Sequence, residues 1–259
     1  MEQESTTTLP QVTMEEKGPV IEIKGLFKTF GANNHVLKGV DLSLNKGEDL
    51  VILGRSGSGK SITIKCIVGL VQPDQGEIKV FGQNVLNLAT HKLNEVRIRI
   101  GFLFQNSALY DSMTVKQNLA FTLKRHASSL TTKEIEKEIN TVLESVGLAE
   151  AINKMPSELS GGMQKRIALA RTLILKPEII LYDEPTTGLD TITSREISEL
   201  ILDIKKKNKT SSIIITHDMA CAKLTADRIM ILKDGVIHAE GSYQELEESE
   251  DKWVRSFFI

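Results

Sequence analysis

The chain has 259 residues, of which 41% are hydrophobic, and its 34 acidic and 32 basic side chains leave a net charge of −2. This composition allows one large core or two smaller ones, and the charge gives no basic surface for nucleic acid. Cys66 and Cys221 lie on or beside apolar segments without metal-site spacing, as reduced cytosolic thiols do. No apolar run approaches bilayer length, and the N-terminus lacks a signal-peptide pattern. If the protein serves a membrane, other chains must span it.

The first part of the chain predicts a tail followed by strands. Residues 1–18 are polar and aperiodic, which indicates a flexible tail. Residues 20–105 supply strands and one helix, and the apolar residues 50–53 predict a buried strand. A glycine-rich segment of the form G-x-x-x-x-G-K-S follows this strand at once. It consists of Gly54, Arg55, Ser56, Gly57, Ser58, Gly59, Lys60 and Ser61.

A strand, this glycine-rich segment and then a helix form the context that a phosphate-binding loop requires. The glycines let backbone N–H groups point at phosphate oxygens, and the N-terminus of the helix that contains Ile62 adds a favourable dipole. Lys60 is predicted to reach the β- and γ-phosphates, and the Ser61 hydroxyl to bind Mg²⁺. An ordinary turn needs neither the Lys-Ser pair nor the spacing. Residues 54–62 therefore predict a nucleoside triphosphate site.

The middle of the chain predicts one more strand and a helix-rich stretch. Gln105 ends the candidate strand at residues 100–104, where its amide could touch Mg²⁺ or water. Residues 106–159 are expected to be helical. Their clearest helix has Ile135 and Ile139 at helical spacing, with Thr132 as the predicted N-cap and Gly147 as the predicted stop.

A second glycine-rich segment, Ser160-Gly161-Gly162, lies about a hundred residues after the first. The helical spacing of Met163 and Ile167 predicts a helix directly after it. The phosphate-binding loop forms half of a nucleotide site, and that half does not require this second segment. A chain with both segments is expected to close a nucleotide between two copies of itself.

Two later apolar strands end in polar residues. Residues 179–182 precede Asp183 and Glu184, and residues 213–216 precede His217. Parallel sheets bind ligands at the carboxyl ends of their strands. Asp183 suits the Mg²⁺ shell, Glu184 suits polarisation of the attacking water, and a neutral His217 could bind the γ-phosphate or hold that water. Solvated carboxylates and a structural histidine are the simpler interpretations, which the nearby phosphate-binding loop disfavours.

Taken in order, these motifs resemble the ATPase subunit of ATP-binding-cassette (ABC) transporters over residues 20–241. The resemblance implies an α/β fold, with a P-loop NTPase core on a parallel sheet, an antiparallel β subdomain and an inserted α-helical subdomain. It implies a homodimer that binds ATP and Mg²⁺, in which Ser160, Gly161 and Gly162 contact ATP across the interface. Asp190 would lie in the loop that links the two sites. Phe30 is the candidate to stack on adenine, with an ordinary core position as its alternative.

Three finer features resemble the ATPases of Mla/Mce phospholipid-transport systems. Met163 replaces the usual Gln after Gly162, and residues 108–115 and 253–258 also match that subfamily. This implies phospholipid transport in a Gram-negative envelope, integral-membrane permease subunits, an Mce-domain lipid-binding partner and a peripheral place on the cytoplasmic face of the inner membrane. An importer for polar amino acids remains the alternative.

The resemblance divides the chain into a core at 19–105 and 171–242, a helical subdomain at about 106–170, and a tail at 243–259. The tail is acidic before Trp253, Phe257 and Phe258, which predict contact with a partner or with the core itself. Soluble ABC proteins of DNA repair or translation carry long coiled-coil insertions or tandem cassettes. The chain has one cassette and no sustained heptads, which disfavours that class.

Overall fold

The computed structural model describes residues 18–127 and 129–258. The tail predicted at 1–18 therefore lies, apart from Gly18, outside the described residues. Among them, ten strands form two sheets. In chain order the strands are β1 (Ile21–Phe30), β2 (Asn34–Leu44), β3 (Asp49–Leu53), β4 (Gln75–Val80), β5 (Gln83–Asn84), β6 (Ile100–Leu103), β7 (Ile179–Asp183), β8 (Ser211–Ile215), β9 (Arg228–Lys233) and β10 (Val236–Gly241).

The helices connect these strands and cover the larger sheet. They are α1 (Lys60–Ile67), α2 (Thr90–Ile98), α3 (Val115–His126), α4 (Thr132–Ser145), α5 (Gly161–Leu173), α6 (Thr191–Asn208), α7 (Met219–Thr225), α8 (Tyr243–Glu247) and α9 (Lys252–Arg255). Within the described ranges, no helix combines the length and apolar character needed to cross a membrane.

The larger sheet has six strands in the order β10-β9-β3-β8-β7-β6, with every pair parallel except β10 and β9. Its central strands are buried on both faces, as runs of Val, Ile and Leu predict. Alternate side chains enter different cores: Val51 packs with the helices of residues 115–173, whereas Leu50 packs with the smaller sheet. That sheet is antiparallel, in the order β2-β1-β4-β5.

The cap and the stop that the sequence predicts for α4 lie within one residue of those in the structure. Thr131, rather than the predicted Thr132, caps α4, because its hydroxyl accepts from Glu134 N while its own N–H donates to the Glu134 carboxylate. Gly147 follows the helix in a left-handed conformation, with φ of 69°, where a glycine stop belongs. The division expected near residue 170 falls inside α5, which runs unbroken to Leu173.

The aromatic residues of the C-terminal segment fold back onto their own chain. Trp253, Phe257 and Phe258 are partly buried and pack against the helix-side core. The ring centroids of Trp253 and Phe257 lie 5.0 Å apart, edge to face. The His238 Nε2–H donates to Asp251 Oδ2 at 2.7 Å, which ties β10 to the N-terminus of α9.

A buried carboxylate stands at the opposite end of the sheet from the strand-end motifs. Asp49, the first residue of β3, has no exposed surface, and its Oδ2 lies 3.2 Å from the Lys205 ammonium. Burial raises the pKa of Asp49 from 3.8 to about 6, although Lys205 opposes the shift. The unfolded chain ionises this carboxyl first, so stability falls as pH rises from about 4 to about 6.

We expect the Asp49→Asn variant to lack this pH dependence. The shift from 3.8 to about 6, at about 1.4 kcal/mol per unit, corresponds to about 3 kcal/mol. Urea unfolding of the wild type and of Asp49→Asn should be measured at pH 4 and pH 7. The free energy of unfolding of the wild type minus that of the variant should fall by up to this amount as pH rises. Asp203→Asn, at an exposed position on α6, serves as the control and should preserve the wild-type slope. A constant difference between wild type and Asp49→Asn would contradict the prediction.

Candidate functional site

The glycine-rich loop connects β3 to α1, as the sequence predicts. The helix begins at Lys60, and Gly59 precedes it with φ of 108°, a left-handed value that side chains disfavour. A Cβ on Gly59 would also lie 2.6 Å from Leu37 Cδ2. Glycine is therefore required here by both conformation and packing, and the loop presents its backbone at a helix N-terminus, where anions bind.

Lys60 and Ser61 face the end of β7. The Ser61 hydroxyl donates to Asp183 Oδ1 at 2.6 Å, which joins the first turn of α1 to a strand-end carboxylate. The Lys60 ammonium donates to the carbonyls of Gly54 and Arg55 at 2.8 and 3.2 Å. Burial lowers the Lys60 pKa, while Glu184 and Asp183 oppose that shift. The hydroxyl and carboxylate oxygens of Ser61 and Asp183 are ligands that Mg²⁺ prefers.

Glu184 and His217 are paired next to this cluster. The His217 ring nitrogen Nδ1 lies 2.8 Å from Glu184 Oε2, with the Glu184 side chain 11% exposed and His217 67% exposed. Glu184 has φ of 53°, an unusual left-handed value for a glutamate, of the kind that clusters at functional sites. A shielded carboxylate beside an accessible imidazole can accept a proton and orient water.

Gln105 lies at the same edge of the sheet, where Lys165 holds its backbone. The sequence did not predict Lys165 as a site residue. Lys165 of α5 is 5% exposed, and its ammonium binds the Gln105 carbonyl and, at 3.3 Å, the Glu184 carbonyl. Burial lowers the Lys165 pKa, opposed by Asp183 and Glu184. The helical spacing of the sequence indicates that Lys165 is buried, because it precedes the buried Ala168 and Leu169 by three and four residues and so lies on the same face of α5.

Phe30 lies at the end of the β1–β2 hairpin and is 41% exposed, not part of the packed core. Its strand partner Asn34 lines a cleft of about 430 Å³ together with the phosphate-loop residues Arg55, Ser56, Gly57 and Ser58. This cleft brings the hairpin next to the loop. The Phe30 ring itself faces the Lys28 ammonium, which lies 5.3 Å from the ring centroid.

Ser160, Gly161 and Gly162 begin α5 away from the loop of their own chain. Among the described residues they make no hydrogen bond to residues 54–61; instead, Ser160 caps the helix by accepting from Met163 N at 3.3 Å. Asp190 caps α6, and its Oδ2 accepts from Thr193 Oγ1 at 2.6 Å. This bond lowers the Asp190 pKa. Most of the predicted site residues thus form two groups: residues 54–61, Gln105, Asp183, Glu184 and His217 in one, and residues 160–162 and 190 in the other. Of the remaining two, Ile62 lies in α1 and Phe30 at the end of β1.

A family profile described as ABC transporter matches residues 37–187, more than half of the chain. The chain belongs to the ABC transporter family. Its α/β cassette fold, with the parallel sheet, antiparallel sheet and helical insertion, is the one that the motif order implied. The protein is an ATP-binding subunit of an ABC transporter and an ATPase.

Proteins similar to this ABC ATPase carry different names. It is 38% identical over 244 residues to the probable ribonucleotide transport ATP-binding protein mkl of Mycobacterium leprae, covering 93% of this chain and 69% of that protein. It is 37% identical over 255 residues to the chloroplastic protein trigalactosyldiacylglycerol 3 of Arabidopsis thaliana, covering 92% and 73%. The methionine import ATP-binding protein MetN of Brucella abortus is 38% identical over 234 residues, covering 89% and 63%.

Solved structures of ABC cassettes are similar over most of the chain. The dimeric cassette MJ0796, in a post-hydrolysis state bound to ADP and Pi, matches with a TM-score of 0.78 and 32% identity, covering 86% of this chain and 98% of that one. The cbiO1 protein of Clostridium perfringens, part of the ABC transporter complex cbiONQ, matches with a TM-score of 0.80 and 25% identity, covering 94% and 100%.

The two adjacent glycines of the ABC ATPase's second glycine-rich segment have different packing. A Cβ on Gly162 would lie 2.5 Å from Thr193 Cγ2, whereas one on Gly161 would lie 3.5 Å from Leu189 Cδ2, an ordinary contact. Thr193 is fixed by its bond to Asp190, so it cannot move away from a new methyl group without losing that bond.

We therefore expect Gly162→Ala to lower the free energy of unfolding by about 1–3 kcal/mol through overpacking. Gly161→Ala is the matched control and should leave stability unchanged or slightly raised, since alanine favours helix. The double variant Gly162→Ala with Thr193→Ser should recover stability, because serine removes the methyl group but keeps the hydroxyl. Thermal and urea unfolding measure all three; equal stability of the two single variants would contradict the packing argument.

Proposed function

We propose that this ABC ATPase hydrolyses ATP at sites shared by two copies of the chain and drives phospholipid transport between membranes of a Gram-negative envelope. The catalytic part of this proposal rests on two pairs of side chains that lie at the same edge of the sheet. Ser61 Oγ donates to Asp183 at 2.6 Å, and His217 Nδ1 lies 2.8 Å from Glu184. The cargo and the assembly are inferred from similar proteins.

Residues 54–62 would bind the triphosphate and Phe30 would stack on adenine. The Ser58 hydroxyl supports this fit, because it is buried in the loop without a hydrogen-bond partner among the described residues. Ser61, Asp183 and Gln105 would hold Mg²⁺, and the oxygens of the first two are suitable ligands. When bound, Mg²⁺ neutralises charge on the phosphate oxygens.

Hydrolysis requires a proton acceptor beside the attacking water. The water oxygen attacks the γ-phosphorus, the bond to the bridging oxygen breaks, and ADP leaves with the electron pair. Glu184 takes the water proton on its carboxylate, and His217 orients the water or the γ-phosphate. Lys60 offsets the negative charge that develops on the phosphate oxygens.

The second group of residues would complete the site of another copy. Ser160, Gly161 and Gly162 lie at the N-terminus of a 13-residue helix, which favours anionic groups. Asp190 would face the same interface. The similar cassette MJ0796 is a dimer, which supports this arrangement. ATP that contacts both copies binds the closed dimer more tightly than the open one, and hydrolysis removes that preference.

The domain division is part of the same proposal. The core would comprise residues 19–105 and 171–242, and the helical subdomain at about 106–170 would pass the closing motion to integral-membrane permease subunits. We place the protein peripherally on the cytoplasmic face of the inner membrane. The similar cbiO1 protein belongs to a transporter complex, which supports a permease partner.

Two observations favour a phospholipid cargo. Met163 follows Gly162, as in the Mla/Mce subfamily that the sequence resembles. One relative, 37% identical over 255 residues, bears the name of a galactolipid, trigalactosyldiacylglycerol. An Mce-domain lipid-binding protein would then be the further partner. A second candidate is amino-acid import, because a protein named for methionine import is 38% identical over 234 residues.

We expect Glu184→Gln to abolish steady-state hydrolysis, because glutamine cannot take the proton from water. ATP should still bind, so the variant should accumulate as an ATP-bound dimer in light scattering after gel filtration. Glu144→Gln, at an exposed position on α4, is the matched control and should hydrolyse ATP normally. Undiminished hydrolysis by Glu184→Gln would refute the catalytic assignment.

Purification of the native complex tests the cargo proposal. The chain, tagged at its N-terminus and extracted with its membrane in detergent, should bring a permease and an Mce-domain protein that retains bound phospholipid. Mass spectrometry identifies the proteins and the extracted lipids. Recovery of a periplasmic solute-binding protein in place of the Mce-domain protein would favour amino-acid import and contradict the lipid proposal.

A further inference from the structure

The backbone of Glu184 is held on both sides by hydrogen bonds. Its N–H donates to the Ile215 carbonyl at 2.9 Å, which ties it to the end of β8. Its carbonyl accepts from the Lys165 ammonium and from Thr187 N, both at 3.3 Å. These bonds stabilise the left-handed conformation of the residue, whose φ is 53°. The Cα position of Glu184 is therefore fixed, and the direction of its carboxylate depends on its side-chain partners.

Two groups bind the same oxygen of that carboxylate. His217 Nδ1 lies 2.8 Å from Oε2, and the Thr187 hydroxyl donates to Oε2 at 3.0 Å. The His217 side chain is 67% exposed, whereas Thr187 is half-buried in the loop that follows Glu184. Because the Thr187 backbone also binds Glu184, its hydroxyl stays with the carboxylate when the imidazole turns towards a phosphate or water.

We propose that Thr187 is a positioning residue for ATP hydrolysis, one that directs the Glu184 carboxylate; the inference rests on the proposed role of Glu184. With both donors on Oε2, the other oxygen, Oε1, accepts no hydrogen bond from the described residues. Oε1 is thus the oxygen that receives the proton of the attacking water. Thr187 fixes this orientation before the reaction, so that no reorganisation is needed as charge develops.

The position of Thr187 also connects the carboxylate to the proposed dimer interface. The loop that contains it is closed by a bond from Leu189 N to the Thr186 carbonyl at 3.2 Å, and it ends at Asp190, the cap of α6. A partner subunit that presses on Asp190 therefore acts on a loop bonded to Glu184.

The test replaces Thr187 by valine, which has the same shape but no hydroxyl, and by serine, which keeps the hydroxyl. ATP hydrolysis by the purified chain is measured in steady state and in single turnover. Thr187→Val should lower kcat about tenfold, the effect of one hydrogen bond to a charged group, with KM for ATP changed less than about twofold. Thr187→Ser should retain most of the wild-type kcat.

Thr186→Val provides the matched control, since it makes the same change one residue earlier, where the hydroxyl does not bond to Glu184. It should leave kcat unchanged. Wild-type kcat in Thr187→Val, or equal losses in the valine and serine variants, would overturn the inference. Glu184→Gln is assayed alongside: if it is inactive while Thr187→Val is fully active, only the positioning role fails. If Glu184→Gln is active, the proposed role of Glu184 fails first.

Discussion

The parallel pairing of β3, β8 and β7 is the constraint on which the catalytic geometry depends. Ile52 of β3 is opposite Ile215 of β8, which is in turn opposite Asp183 of β7. Strands paired in this way end at the same edge, so the chain segments that leave them emerge side by side. The hydrophobic burial of both sheet faces stabilises this register, because a one-residue slip would exchange the side chains of the two cores.

Two cationic side chains of α5 connect this rigid edge to the helical layer. Lys165 binds the carbonyls of Gln105 and Glu184, and Arg171, also on α5, binds the carbonyls of Ser107 and Ala108 at 3.0 and 2.7 Å. Ser107 and Ala108 both have positive φ, so the segment after Gln105 adopts a conformation that needs such support. The helix α5, which Ser160 caps, is thus bonded to the carboxyl edge of the parallel sheet, while Ser160 and Gly161 at its N-terminus are exposed.

The fold and ATPase activity of this chain do not depend on the same features as the choice of cargo. In the proposed mechanism the strand-end residues act on phosphate groups, which are common to all ATP-driven transport. Relatives named for ribonucleotide transport, for a galactolipid and for methionine import are 37–38% identical to this chain. A fold and site shared by relatives with such different names do not by themselves identify the cargo.

The sequence alone determined the elements and residues that short-range patterns encode. The spacing from Gly54 to Ser61, the apolar strands before Asp183 and His217, and the helix after Ser160 all follow from local chemistry. The tertiary structure decided which distant groups meet. In the folded chain the Lys165 ammonium donates hydrogen bonds to two carbonyls, Gly162 packs against Thr193, and the Thr187 hydroxyl donates to the Glu184 carboxylate. No periodicity encodes such contacts, because they depend on strand register and helix packing and on a left-handed turn at Glu184 that breaks the local rule for its residue type.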